Sequence, residues 1–452
     1  MDQNTNLHFE KATAGFLALM SSVFLLAFGP GGYTDITLTK YTVFVVISGL
    51  YLLSLALIWL TALLWPKGTA AGPVLRRSDI GPVRGLLLLF LFFCLISALL
   101  SPYGLHTFVG YHRYEGILTV VLYVLTFYFV SLYGRPKKWL LLLFAASMTV
   151  FCLICFGQFL GYNPFGLYPE GLTYYDANSA YRYQYLGTVG NVGLVAALLA
   201  VAAPVFFLSF LRLKGKSRYL LLFPLGCVLA VTLLSQVAAA YLAVFGGLLL
   251  LIPIAAVKTK RKKYLAWILI LILLFAGLAL VFCCDVGSGT IHELHLLLHG
   301  QWEDDFGTGR FFLWRNVLTL IPERPFFGGG PDTLGQRMTV DFQRYDSESH
   351  VLYRAAIDTA HNEYLNILVN EGAFAFLAYV AALVVFLVFF IKKNRDCDVL
   401  AICGSAVFCY VIQAFFGMRM CLTAPFFWLC WALALGAWRT QKVCGKEPRR
   451  PN

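Results

Sequence analysis

Apolar runs of about 18 to 25 residues recur along the chain, separated by short polar connections, and predict membrane-spanning helices. Twelve such runs are centred near Leu19, Leu52, Phe92, Tyr123, Thr149, Leu199, Cys227, Gly246, Ile272, Ala381, Ala406 and Trp431. The seventh and eighth share one long apolar stretch, parted near Ser235–Ala239. The first run is long, has no clear small-residue cleavage site and is followed by further spans, so it reads as a helix and not as a signal peptide. One stretch breaks the pattern. From Asp285 to Asn362 the chain is polar, aromatic and rich in arginine. Connections of that length are usually functional or disordered, and the Trp, Phe, Tyr and Leu spread through this one argue against disorder.

The pattern predicts an all-α polytopic membrane protein of about 12 transmembrane helices with one large loop. Its parts are a bundle of about nine spans over residues 1–284, the loop over 285–364, and about three spans with a tail over 365–452. Composition agrees: 60% of the 452 residues are hydrophobic and 13% charged, against about a quarter charged in a soluble domain.

The charges orient the bundle. With the N-terminus in the cytoplasm, 25 of the 35 basic residues fall on the cytoplasmic face, although the other face owns most of the loop length. The multi-pass chain is then expected in a cytoplasmic membrane with both termini inside and the long loop outside. The net charge of +12 is mostly this anchoring and does not indicate a nucleic-acid partner. The outward basic residues are Arg113, Arg182, Arg310, Arg315, Arg324, Arg337, Arg344, Arg354 and Arg419, with Lys40 as the one lysine. A guanidinium grips phosphate or carboxylate through a fixed fork, which an ammonium cannot do. These arginines either pair with outer acids or bind an anionic ligand.

The twelve cysteines lie mainly inside the apolar runs. Cys152 and Cys155 form a CxxC with no charged neighbour to lower a thiol pKa. The loop interior has no cysteine and is not a disulfide scaffold. His292, His295 and His299 would share one helix face, but no fourth ligand is evident and the surrounding leucines suit an amphipathic segment on the bilayer. No metal and no cofactor is expected.

Four segments carry candidate chemistry, and the topology puts all of them on one side. They are Gly110 to Gly116, containing Arg113 and Glu115; Tyr181-Arg182-Tyr183 with Gly187 to Asn191; Gly307-Thr308-Gly309-Arg310 with Trp314 and Pro325 to Gly330; and Ala360 to Leu365 with Asn370-Glu371-Gly372. In order and spacing they resemble the O-antigen ligase and polymerase superfamily of bacterial membrane glycosyltransferases. The resemblance is densest over about 305–375, where Gly-Arg, a downstream Trp, a glycine-rich turn after Pro, and His-Asn with Tyr-Leu follow in order. Val192-Gly193 stands where the family often has Pro-Asn, and Ser235-Gln236 where Ser-Arg is common.

The resemblance implies a GT-C-like membrane fold and transfer of a glycan from undecaprenyl pyrophosphate to a saccharide or lipid-linked acceptor, either ligation or polymerisation. Arginines above the lipid would stabilise the charge that grows on the leaving diphosphate. Arg310 and Arg182 are the first candidates and Arg113 the third; Arg182 has Tyr183 and Asp176 as alternative partners. His361 is the candidate general base, because cationic neighbours lower an imidazole pKa and keep the ring neutral. Its alternative is a capping position before span ten. Asn362 is placed to orient it, Glu363 to pair an arginine, and Glu371 to position either, because a carboxylate at that depth needs a partner. Glu115, Asn191 and Trp314 complete the candidate binding set with Gly328 and Gly330. The Gly328–Gly330 segment either brings backbone amides to a phosphate or is a plain turn after Pro325. A lipid-linked sugar transporter is the competing class; it predicts ionisable residues lining a path through the spans.

Overall fold

The structure, a computed structural model, describes residues 3–65, 81–111, 113–169, 185–257, 259–304, 306–346 and 351–444. The apolar runs are helices: α1 (Gln3–Leu19, continued by a π turn at Met20–Phe24), α2 (Ile36–Leu64), α3 (Gly81–Leu100), α4 (Ile117–Tyr133), α5 (Lys138–Phe159), α6 (Val192–Arg212), α7 (Lys216–Leu234), α8 (Ala238–Ala256), α9 (Lys260–Cys283), α10 (Glu363–Lys393), α11 (Asp398–Ala414) and α12 (Ala424–Cys444). Each apolar centre read from the sequence falls in one of them. Among the described residues, eight are long and apolar enough to cross a membrane; α4, α11 and the apolar part of α12 are shorter. This is a multi-pass helical membrane protein. The described residues also contain a hairpin that the all-helical expectation did not include, β1 (Phe342–Asp346) paired antiparallel with β2 (Val351–Ala355).

The bundle is built around α6. Its side chains from Leu194 to Phe206 are all buried, and its many alanines let neighbouring backbones approach closely. Helix α11 packs along α6 and α12, α12 against α4, and α10 along α3. An aromatic core joins them: Trp428 stacks on Tyr123, and Trp431 meets Phe127, Phe386 and Phe427. Helix α9 is the opposite case. It is apolar all round with Ile270 as its one buried residue, as expected of a helix at the lipid-facing rim.

Among the described residues, two basic side chains are buried within the spans. Lys40, expected at the outer surface, is instead fully buried within α2, where its Nζ donates to Phe24 O at 2.6 Å and Leu25 O at 2.7 Å. The π turn ends α1 there and frees these carbonyls, which need donors in a medium without water. Arg84 likewise gives Nε and Nη2 to the hydroxyl and carbonyl of Ser131. Both side chains link helices by bonding to oxygens of a neighbouring one.

Helix α10 is broken at Gly372, whose φ of 87° and ψ of 175° only glycine adopts without strain. The break strands carbonyls above it and amides below it. Residues 325–330 splice the gap. Gly329 N donates to Val369 O and Gly330 N to Asn370 O, while Ala373 N and Phe374 N donate to Pro325 O and Phe326 O. Arg337 Nη1 adds a bond to Val369 O at 2.7 Å, and Ser97 Oγ one to Asn370 O at 3.1 Å. A Cβ on Gly328 would collide with the backbone of Asn370. The glycine-rich segment is therefore the partner of a broken helix.

The connection from α9 to α10 is folded. It holds helices Gly289–Leu298, Phe306–Leu318 and Leu334–Arg337 and the β1–β2 hairpin. Leu313, Val317, Leu320, Leu334, Ile357 and Ala360 form a small core of its own with Val369 of α10, which seats the loop on the bundle.

Candidate active site

The site is assembled where the Phe306–Leu318 helix meets the first turn of α10. Asn362 caps α10, its Oδ1 accepting from Leu365 N at 3.0 Å. Asn366 Oδ1 accepts from Ala360 N at 3.2 Å, and Trp314 Nε1 donates to Ala360 O at 3.0 Å. Backbone on both sides of His361 is thereby pinned, and His361 itself takes a left-handed conformation with φ 46°. Such a conformation in a residue other than glycine costs energy and persists where the surroundings over-determine it.

Two guanidinium groups act on the ring. Arg113 comes from the segment before α4, and Arg310 from the Phe306–Leu318 helix. Arg113 is held bidentately by Asp358, Nε to Oδ2 at 2.8 Å and Nη2 to Oδ1 at 2.9 Å. Its Nη1 lies 3.5 Å and 3.6 Å from the sulfurs of Met418 and Met420. Arg310 donates from Nη1 to Gly307 O at 2.5 Å and from Nη2 to Phe416 O at 3.2 Å. Burial, then the charges of Arg113 and Arg310, push the His361 pKa down to about 4, against the opposing pull of Asp358. The imidazole is neutral at pH 7 and able to accept a proton. Among the described residues it makes no hydrogen bond that would occupy its nitrogens.

A buried ionic layer lies beneath. Arg419, in the turn between α11 and α12, donates Nε to Glu115 Oε2 at 3.0 Å and Nη2 to Glu371 Oε1 at 3.2 Å. All three side chains are at most 5% exposed. Tyr123 OH donates to Glu115 Oε1 at 2.7 Å. Glu363 stands in the same field and takes hydroxyl bonds from Tyr379 at 2.6 Å and Tyr410 at 3.0 Å. Burial raises the Glu115 carboxyl to about 7, which Arg419 and Tyr123 oppose. Asp332 is raised by burial to about 6 although backbone amides of Tyr111 and Arg113 donate to it. This layer ties α4, α10 and α11 to the turn that carries Arg419.

The candidates thus divide. His361, Arg310 and Arg113 come together. Trp314 and Asn362 position the histidine backbone, and Asn362 serves as the cap and not as a partner of the ring. Glu371 and Glu115 answer to Arg419 and are sealed from a ligand. Glu363 pairs with two tyrosines where an arginine was expected. Asn191 caps α6 through Gly193 N and Leu194 N. The amides of Gly328 and Gly330 are engaged by Arg324 O and Asn370 O. Arg182 lies outside the described residues. The loop histidines are apart from this cluster: His292 faces Asp285, and His295 the Val281 carbonyl.

Comparison with known proteins bears on the same region. The family model for O-antigen ligase matches residues 223–380, from α7 through the loop into α10. The chain carries a domain of the O-antigen ligase superfamily. That domain holds Arg310, Trp314, Asp358, His361 and Glu371, and it supports a ligase- or polymerase-like role in moving glycans at a membrane. No curated protein matches the chain.

Sequence reasoning missed Asp358, Asp332 and the central place of Arg419. Asp358 stands three residues before His361, and that spacing was its one local signal. Nothing local marks Arg419 as the partner of Glu115, more than 300 positions away.

Proposed function

We propose that the protein transfers a glycan from undecaprenyl pyrophosphate to an acceptor hydroxyl, at the outer face of a bacterial cytoplasmic membrane, without a metal and with inversion at the anomeric carbon. The observation that carries this reading is that Arg113 and Arg310, brought from two separate segments, both act on His361 at the end of an apolar bundle. The lipid tail stays in the bilayer beside the helices, and the diphosphate meets the two guanidinium groups. His361 takes the proton of the acceptor hydroxyl as its oxygen bonds to the anomeric carbon. The bond from that carbon to the diphosphate oxygen breaks, and the leaving group keeps the electron pair. Fixed guanidinium charge stabilises the negative charge that develops there.

The same geometry couples binding to basicity. With no donor, burial depresses His361 most and the charges of Arg113 and Arg310 depress it further. A bound diphosphate offsets both charges and returns to the ring the part of its basicity that they had removed. Arg182 is proposed to add to the diphosphate site.

The test gives purified protein in detergent one lipid-linked oligosaccharide, with and without a separate acceptor. Product that forms only with the acceptor identifies a ligase, and lipid-linked ladders without it identify a polymerase. If wild-type protein yields neither and His361→Ala leaves the surface glycans of cells unchanged, the reading is wrong.

A further inference from the structure

The bundle end opposite His361 carries a second site that the transfer reaction does not use. A cavity of about 270 Å³ opens between α1, α5, α6, α11 and α12. Its walls are apolar, with Leu17, Val205 and Phe426 among them. It follows α6 from Val201 to Leu213, which at 1.5 Å per residue is about 18 Å. Half of a hydrocarbon core is about 15 Å, so the cavity is as deep as one leaflet.

The rim has the opposite character. Lys137, Lys138, Lys214 and Arg218 converge on the mouth. Their neighbours on this face are neutralised, Arg135 by Glu10 at 3.0 Å and Arg212 by Asp398 at 3.5 Å. Among the described residues no carboxylate pairs with the four rim cations. Arg218 is held in place between the rings of Phe210 and Tyr219. A general excess of lysine and arginine on one face accounts for cations there, but not for their gathering unpaired around an apolar cavity. One turn inside the mouth, Ser209 lines the cavity with a fully buried Oγ that has no hydrogen-bond partner.

We infer that this cavity binds an anionic phospholipid of the leaflet opposite the candidate active site. One acyl chain fills the apolar depth, the phosphate lies among Lys137, Lys138, Lys214 and Arg218, and the Ser209 hydroxyl meets the ester region. Charge complementarity selects an anionic headgroup, and one-leaflet depth selects a lipid over a free phosphate. The inference does not depend on the proposed transfer reaction.

Native mass spectrometry of the full chain tests it, with phosphatidylglycerol, phosphatidylcholine and undecaprenyl phosphate as probes. Phosphatidylglycerol is expected to be retained in preference to phosphatidylcholine. Combined Lys137→Gln, Lys138→Gln and Lys214→Gln, which alter exposed side chains only, should weaken its retention about 100-fold, at about fivefold per cation. Val205→Trp, which fills the cavity and leaves every cation in place, should abolish it. Equal retention of phosphatidylglycerol and phosphatidylcholine, or retention untouched by both variants, overturns the proposal. Displacement of phosphatidylglycerol by equimolar undecaprenyl phosphate overturns it as well, because it names a different occupant.

Discussion

Replacing Arg419 by methionine removes the one cation that both Glu115 and Glu371 contact, at 3.0 Å and 3.2 Å. The pair is buried, and truncating one partner of such a pair costs about 3–5 kcal/mol, because the remaining charge has no partner and no water. The sign of the pH dependence follows from Glu115. Burial lifts its folded pKa to about 7, against about 4.3 in an unfolded chain. The folded state keeps its proton longer, so its stabilising contribution is complete below about pH 4.3 and is lost as pH rises toward 7. In the wild type that loss levels off near pH 7. Without Arg419 the carboxyl rises further, and stability continues to fall by up to about 1.4 kcal/mol per pH unit. Between pH 7 and 8.5 the gap between variant and wild type should widen by roughly 2 kcal/mol. Thermal unfolding in detergent at pH 6, 7 and 8.5 reads this directly. Adding Glu115→Gln and Glu371→Gln to the variant should remove the widening. A gap that stays constant across this range refutes the account, because it would show that no unpaired carboxylate is left behind.

Other expectations concern the site and the break in α10. His361→Ala should lower turnover by about 10²- to 10⁴-fold, the usual worth of a general base. In the wild type, kcat/KM should fall on the acid side near pH 4, where free His361 takes up a proton. The acid limb of kcat should lie at higher pH, because bound diphosphate offsets Arg113 and Arg310; coincident limbs measured over pH 3.5–8 would argue against that coupling. Arg310→Lys keeps the charge, but one ammonium cannot hold both Gly307 O and Phe416 O while facing His361. A loss of roughly 3 kcal/mol, about 100-fold in kcat/KM, is expected, and full activity would make Arg310 a mere support of the loop. Gly372→Ala should destabilise the protein by at least 1–3 kcal/mol in thermal unfolding, from the strained backbone alone.

Much of this molecule was legible in order along the chain. The apolar centres fall in helices because lipid-spanning segments must satisfy their own backbone, and runs of that length leave little alternative. His361 and Arg310 stood out because polar groups with defined chemistry are conspicuous in a chain this apolar. Lys40 was misplaced because its position near the end of a run resembled a surface residue. The carbonyls that draw it inward belong to another helix. The glycine segment had two readings because a turn that meets phosphate and a turn that meets a broken helix use the same residues.

The sequence by itself determined the helices, the position of the long polar connection and the candidate histidine and arginine within it. Each rests on local composition and spacing, which a linear chain displays. Only the tertiary structure decided that Asp358 holds Arg113, that Arg419 neutralises Glu115 and Glu371, and that residues 325–330 complete α10. Those pairings depend on which helix ends meet on one face of the bundle. Partners up to hundreds of positions apart leave no periodic trace in the chain, and their energies arise only when burial removes water from both at once.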